Sequence, residues 1–257
     1  MSTPPLIRVV EREALVYARL WRGLAFSTFL QPVLYLAAMG IGLGGLVRAH
    51  TGAVDGLTYL EFIAPGLLVA STMQLAAGES MWPVMGGAKW MRQFHGVVAT
   101  PIAPGELFGG YVLWTAIRSM FGAAVFLLVA ALLGAVPSAW GILAIPAAGL
   151  CAAAFSAPIT AFSVTQDSDA SFPLIMRLGV LPLFLFSGTF FPISQLPSGL
   201  RPFAWASPLW HGVELARDAT TGRFDAGASA AHVAVLVACV AAGSLWGVRR
   251  FARRLSS

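Results

Sequence analysis

Charge is what this sequence has least of. Charged residues make up 11% of 257 positions, against 58% hydrophobic residues and a mean hydropathy of +0.78. A soluble domain carries about a quarter charged residues because its surface must hold water. So little charge excludes an ordinary water-facing fold and leaves lipid as the surrounding medium. Cysteine is scarce as well. Cys151 and Cys239 stand alone inside apolar segments, which argues against a disulfide framework or a metal site. The sole lysine, Lys89, sits in Gly86-Gly87-Ala88-Lys89-Trp90, without the spacing or the hydroxyl residue of a phosphate-binding loop. HExxH, CxxC and G-x-S-x-G patterns are missing too, so an active-site constellation is not expected. The N-terminus has no signal-peptide pattern: Glu11 and Glu13 interrupt it and no small-residue cleavage site follows a short apolar core.

The charges that remain are clustered. None lies between Arg22 and Arg48, Arg118 and Asp167, Arg177 and Arg201, or Asp225 and Arg249. Each gap reaches the roughly 20 residues a helix needs to cross the hydrocarbon. The longest holds two spans, divided by the turn residues Gly134 to Ser138. The net charge of +5 does not imply nucleic acid, because Arg249, Arg250, Arg253 and Arg254 directly follow an apolar segment, where basic residues fix topology.

This pattern predicts an all-α polytopic membrane protein, a single transmembrane domain over 1–257. Thr3-Pro4-Pro5 opens a helix over 3–23. Arg8, Glu11, Arg12, Arg19 and Arg22 fall on one arc of it, with Leu6, Val10, Ala14, Tyr17 and Trp21 opposite, as in an amphipathic helix lying at the membrane interface. Six spans follow, roughly over 25–47, 60–80, 106–134, 139–165, 173–191 and 228–248. With the N-terminus inside, eleven basic residues are internal and four (Arg48, Arg201, Arg217, Arg223) external, while Arg118 falls within a span. The positive-inside rule then makes both termini cytoplasmic. Two connections are long. The cytoplasmic one, 81–105, has room for a short helix carrying Lys89, Arg92 and His95. The external one, 190–227, is too apolar to stand in water and too rich in Pro and Gly to span. It reads as a re-entrant helical segment, with Phe203, Trp205 and Trp210 suited to the interface.

Glu79 and Arg118 fall inside spans, where an isolated charge is costly. Glu79 reads as a structural partner near the cytoplasmic loop. For Arg118, a functional role and a snorkelling or paired one weigh equally. Asp167 and Asp169 read as a solvated loop or a partner contact. Ser207-Pro208 before WHGVELAR reads as a capped helix.

Four stretches carry a family resemblance: Leu60 to Gly66 (LEFIAPG), Ala99 to Pro104 (ATPIAP), Phe186 to Pro192 (FSGTFFP) and Ser207 to Arg217 (SPLWHGVELAR). In this order and at these topological positions, the chain resembles permease subunits of ABC-2 type exporters, of the nodulation-factor and daunorubicin-resistance type. The resemblance implies a dimer of six-span subunits, its second permease favoured as identical, in the cytoplasmic membrane of a bacterium among its lipids. Two separate cytoplasmic ATPase subunits would bind ATP and Mg, leaving no cofactor on this chain. It further implies ATPase coupling through Lys89, Trp90, Arg92, Gln93 and Phe94, all placed at the ATPase surface. An external gate would include Phe191, Pro192, Trp210, His211 and Glu214. The cargo favoured is hydrophobic or amphipathic: a drug, lipid or glycolipid. Other classes remain open on residues alone. An ion-coupled transporter would need midplane carboxylates and repeated halves, and a lipid-processing enzyme a cluster of His, Asp or Glu. A non-transporting assembly subunit is a third.

Overall fold

A computed structural model describes residues 4–43, 54 and 56–255, and among them helices dominate and no strand forms. In hydrocarbon every backbone N–H and C=O must be satisfied within the segment, which a helix does without a partner. Helix α1 spans Pro5–Leu36 and continues in π geometry over Ala37–Leu43. The main helices that follow are α2 (Tyr59–Glu79), the short α3 (Gln93–Val98), α4 (Pro104–Leu132) and α5 (Ala144–Ser163). Then come α6 (Asp169–Phe186, with a π turn at Met176–Val180), α7 (Pro208–Thr221) and α8 (Ala226–Leu255).

Local chemistry sets the starts. Thr58 Oγ1 accepts from the Glu61 N–H while Glu61 Oε2 accepts from the Thr58 N–H, a reciprocal cap that opens α2. Glu106 reaches back to the Ala103 N–H ahead of Pro104 to open α4. Asp225 Oδ1 accepts from the N–H groups of Gly227 and Ala228 and opens α8. Helix α7 starts on Ser207 as its sequence suggests, and ends on Gly222 in the left-handed region at φ 73°.

Five helical stretches are long and apolar enough to cross a membrane: Tyr59–Trp90, Pro104–Leu132, Ala139–Ser163, Asp169–Phe186 and Ala226–Leu255. They match the second to sixth expected spans. The first, 25–47, falls on α1 and its π continuation, and residues 44–47 lie outside the described residues, as do Thr3 and Arg48. The break expected between an interfacial helix over 3–23 and this span does not occur. Instead α1 is continuous, and its early turns run alongside α4, Leu6 and Val9 lying over Gly109 and Gly110 and Tyr17 edge-on to Trp114 at 5.9 Å. The two glycines remove the side chains that would hold the helices apart.

Helix α2 is the centre, buried on nearly all sides. Helix α8 packs against α4 and α5 through Gly243, which lies on Pro158, and Gly247, which lies on the Phe108 ring. Much of α6 and α8 otherwise presents leucine and valine outward. Contacts between helix ends define two ends of the bundle. At one, α1 meets α3 (Arg12–Gln93, 2.9 Å), and the last turn of α8 meets the α5–α6 connection (Arg254–Asp167, 2.7 Å). At the other, the 133–138 turn meets the end of α7, the Ser138 N–H donating to the Thr220 carbonyl. The described starts and ends of the chain therefore lie at the same end.

Candidate functional site

Three of the four family stretches converge at the end away from the termini. Gly66 of α2 lies so close to the 187–191 loop that an added Cβ would sit 2.9 Å from the Thr189 carbonyl oxygen. Ser187 and Ser207 share a buried hydroxyl bond of 3.0 Å, tying that loop to the start of α7. Arg217 closes the arrangement from α7. Its Nη1 pairs with Glu214 at 2.6 Å, its Nη2 donates to the Gly188 carbonyl at 2.7 Å, and its guanidinium lies 4.1 Å from the Phe62 ring centre. Gly188 has φ 76°, a turn an L side chain rarely adopts, and it aims this carbonyl inward.

Beside this cluster is a cavity of about 330 Å³ whose lining includes Phe62, Pro192, Trp210, Glu214, Arg217 and Asp218. Burial first, and then the neighbouring Glu214 carboxylate, raise the Asp218 pKa to about 6. A separate apolar cavity of about 270 Å³ opens on the other side of the 187–200 loop, among Leu183, Phe186, Leu200 and Phe203. Of the five gate residues named from sequence, Pro192, Trp210 and Glu214 line the polar cavity. Phe191 is half-buried in the loop, and His211 points elsewhere. The His211 Nδ1 lies 2.7 Å from the His232 Nδ1 of α8, with Trp210 edge-on to both rings, so this pair bolts α7 to α8. In the sequence Arg217 stands out as an external basic residue and as the end of a family stretch, and Asp218 does not stand out at all. The available signal was spacing: Glu214, Arg217 and Asp218 at i, i+3 and i+4 share one face of a helix.

Within the bundle, Glu79 and Arg118 form an ion pair of 2.6 Å, and Arg118 also lies 5.0 Å from the Tyr17 ring centre. The Tyr111 hydroxyl donates to the Glu79 carbonyl at 3.0 Å. Each charge thus finds its counter-ion on a neighbouring helix, which is what permits both to be there. Glu13 of α1 stands near Glu79. The Glu13 Oε1 pairs with Arg12 at 3.4 Å.

The end that holds the termini carries a projecting knuckle. After α2 the chain turns through Trp82–Met85 and the π segment Gly86–Trp90, and reverses at Arg92, whose φ is 51°. It then enters α3. Lys89, Trp90, Met91, Arg92 and Gln93 are exposed. Phe94 is not. It is 2% exposed, packed against Gly87, Tyr111 and Phe251, so it anchors the knuckle from behind and is not the surface residue that the family resemblance implied. Its place in the first turn of α3 directs it back to the core, while the preceding four residues face out. Lys89 donates to the Asp167 carbonyl and, with Arg254, pairs with the Asp167 carboxylate. The hydrogen bond from Arg254, and next that from Lys89, hold this carboxyl below the usual range.

Apolar helices long enough to span, opposite charges paired between them, and a basic knuckle at one end describe a polytopic membrane protein. The chain belongs to the ABC-2 type transporter family, whose model matches residues 6–220. It is 28% identical to Nodulation protein J of Rhizobium leguminosarum bv. viciae over 239 residues, covering 91% of this chain and 90% of that one. Nodulation protein J of Bradyrhizobium diazoefficiens is 29% identical over 240 residues, covering 91% and 89%. The Inner membrane transport permease YadH of Escherichia coli is 26% identical over 201 residues, covering 77% and 71%. The chain is therefore the transmembrane component of an ABC transporter.

Proposed function

We propose that this permease exports an amphipathic or hydrophobic cargo (a drug, lipid or glycolipid) across a bacterial cytoplasmic membrane, driven by two separate ATPase subunits that bind ATP and Mg. In this reading it spans the membrane six times with both termini cytoplasmic, and pairs with a second permease, most simply an identical copy. The 190–227 segment is its external re-entrant gate. The observation that carries the proposal is the knuckle at 89–93. It is exposed at the end of the bundle that also holds both described termini and is braced by buried Phe94, so a push on it reaches α4 and α8. Trp90 and Met91, 57% and 62% exposed, are large apolar side chains suited to a partner's groove. The cargo preference draws on the gate, where a cavity lined by charged residues and an apolar one flank the same loop, as the two ends of an amphiphile require.

The test is co-purification with the candidate ATPase and ATP hydrolysis in lipid nanodiscs. Wild type is expected to hold the ATPase. Trp90→Ala with Met91→Ala should lose binding or coupled hydrolysis while remaining folded. No association under any nucleotide condition would sink the proposal.

A further inference from the structure

The knuckle has a second face, turned toward α8, that forms a pocket of about 250 Å³ lined by Ala88, Lys89, Arg92, His95 and Arg254. Three permanent cations meet there, and Asp167 at its edge is shared between two of them, Lys89 and Arg254. The His95 Nδ1 is buried with no hydrogen-bond partner among the described residues, a donor or acceptor kept out of water without compensation. Arg92 is the one non-glycine among the described residues with a positive φ, a conformation that an L side chain holds at a cost. Such an outlier points from strain toward a role. Here the reversal at Arg92 is what puts that side chain, Lys89 and His95 around one space.

The pocket's position selects its ligand. Two turns before Arg254, α8 exposes Leu245, Trp246 and Val248, and Arg250 lies 5.7 Å from the Trp246 ring centre. Apolar side chains, then Trp, then arginines is the order met on leaving hydrocarbon for the headgroup layer. Basic pockets between helices at the cytoplasmic face take phosphate-bearing headgroups. We propose that Lys89, Arg92, His95 and Arg254 hold the phosphate of an anionic phospholipid of the inner leaflet, its acyl chains lying on the exposed face of α8. The site rests on reading this end as cytoplasmic, and it makes the bound lipid part of the knuckle's seating.

Native mass spectrometry of the full chain in detergent, without ATPase, tests this with phosphatidylglycerol, phosphatidylcholine and inorganic phosphate as probes. Wild type should retain phosphatidylglycerol in preference to phosphatidylcholine. Arg92→Gly and Arg254→Gln should each weaken that retention about fivefold, from the contribution of one cation near an anionic surface. Arg92→Gly also relieves the backbone, so its unfolding temperature should hold or rise, separating lost ligand from lost fold. Arg8→Gln, at the same end but outside the pocket, should change nothing. Equal retention of both lipids, or displacement of phosphatidylglycerol by inorganic phosphate at equal concentration, would overturn the lipid assignment. Unchanged lipid retention in the variants with loss of ATPase co-purification would give the pocket to an acidic ATPase surface, leaving the exporter reading intact.

Discussion

The two ends of this bundle treat arginine in opposite ways. At the end away from the termini, Arg217 is 9% exposed and its guanidinium is shared among a carboxylate, a backbone carbonyl and an aromatic face. At the terminus end, Arg92 is exposed on a strained turn, and Arg254 shares an exposed Asp167 with Lys89. A buried charge with several partners holds a structure together, since removing one strands the others. An exposed one contributes little to stability and is available for recognition. The same residue type is therefore buried among several partners at one end and borne near the surface at the other.

The largest test of that contrast is Arg217→Ala. It leaves Glu214 and the Gly188 carbonyl without their cation and should cost about 3–5 kcal/mol, read as loss of folded monodisperse protein. If thermal stability is unmoved, the contrast fails. Arg118→Leu should cost less, because Arg118 answers one carboxylate and one ring, whereas Arg217 also holds the Gly188 carbonyl. Adding Glu79→Leu should recover most of the loss, as replacement of a whole buried pair often does. A double-mutant cycle of unfolding temperatures checks it. Gly66→Ala drives a methyl against the backbone at Thr189 and should cost about 1–3 kcal/mol, measured the same way.

Asp218→Asn sharpens the Arg217 end through pH. The folded carboxyl titrates at about 6 against an ordinary 3.8. The folded chain thus binds that proton more tightly, and the group's contribution makes stability fall as pH rises from 3.8 through about 6. The asparagine variant should lack this fall and equal or exceed wild type at neutral pH, as unfolding temperature against pH will read. At the other end, Trp90→Ala with Met91→Ala should move stability by less than about 0.5 kcal/mol, since both side chains stand in the open. A large loss there would erase the distinction between the ends.

Much of the fold was legible because lipid imposes long-range order on composition. Apolar runs marked the spans that α2, α4, α5, α6 and α8 occupy, and Ser207-Pro208 marked the start of α7. Periodicity was a weaker guide where a helix is covered from several directions. On α1, Glu13 sits among apolar positions of the wheel and pairs with the adjacent Arg12, and Phe94 follows five exposed residues yet packs inward. The family stretches were recognisable one by one, but nothing in their order says that Gly66 touches Thr189 or that Arg217 reaches Gly188.

What the sequence determined by itself is the medium, the class and the family, because the scarcity and placement of charge and four ordered stretches are properties of the chain read in one dimension. What only the tertiary structure decided is which charges meet. Glu79 with Arg118 are 39 residues apart and Lys89 with Asp167 are 78 apart. Such pairings are set by helix packing, where glycines at positions such as 109, 110, 243 and 247 let backbones close, and a counter-ion has meaning only once that distance is fixed.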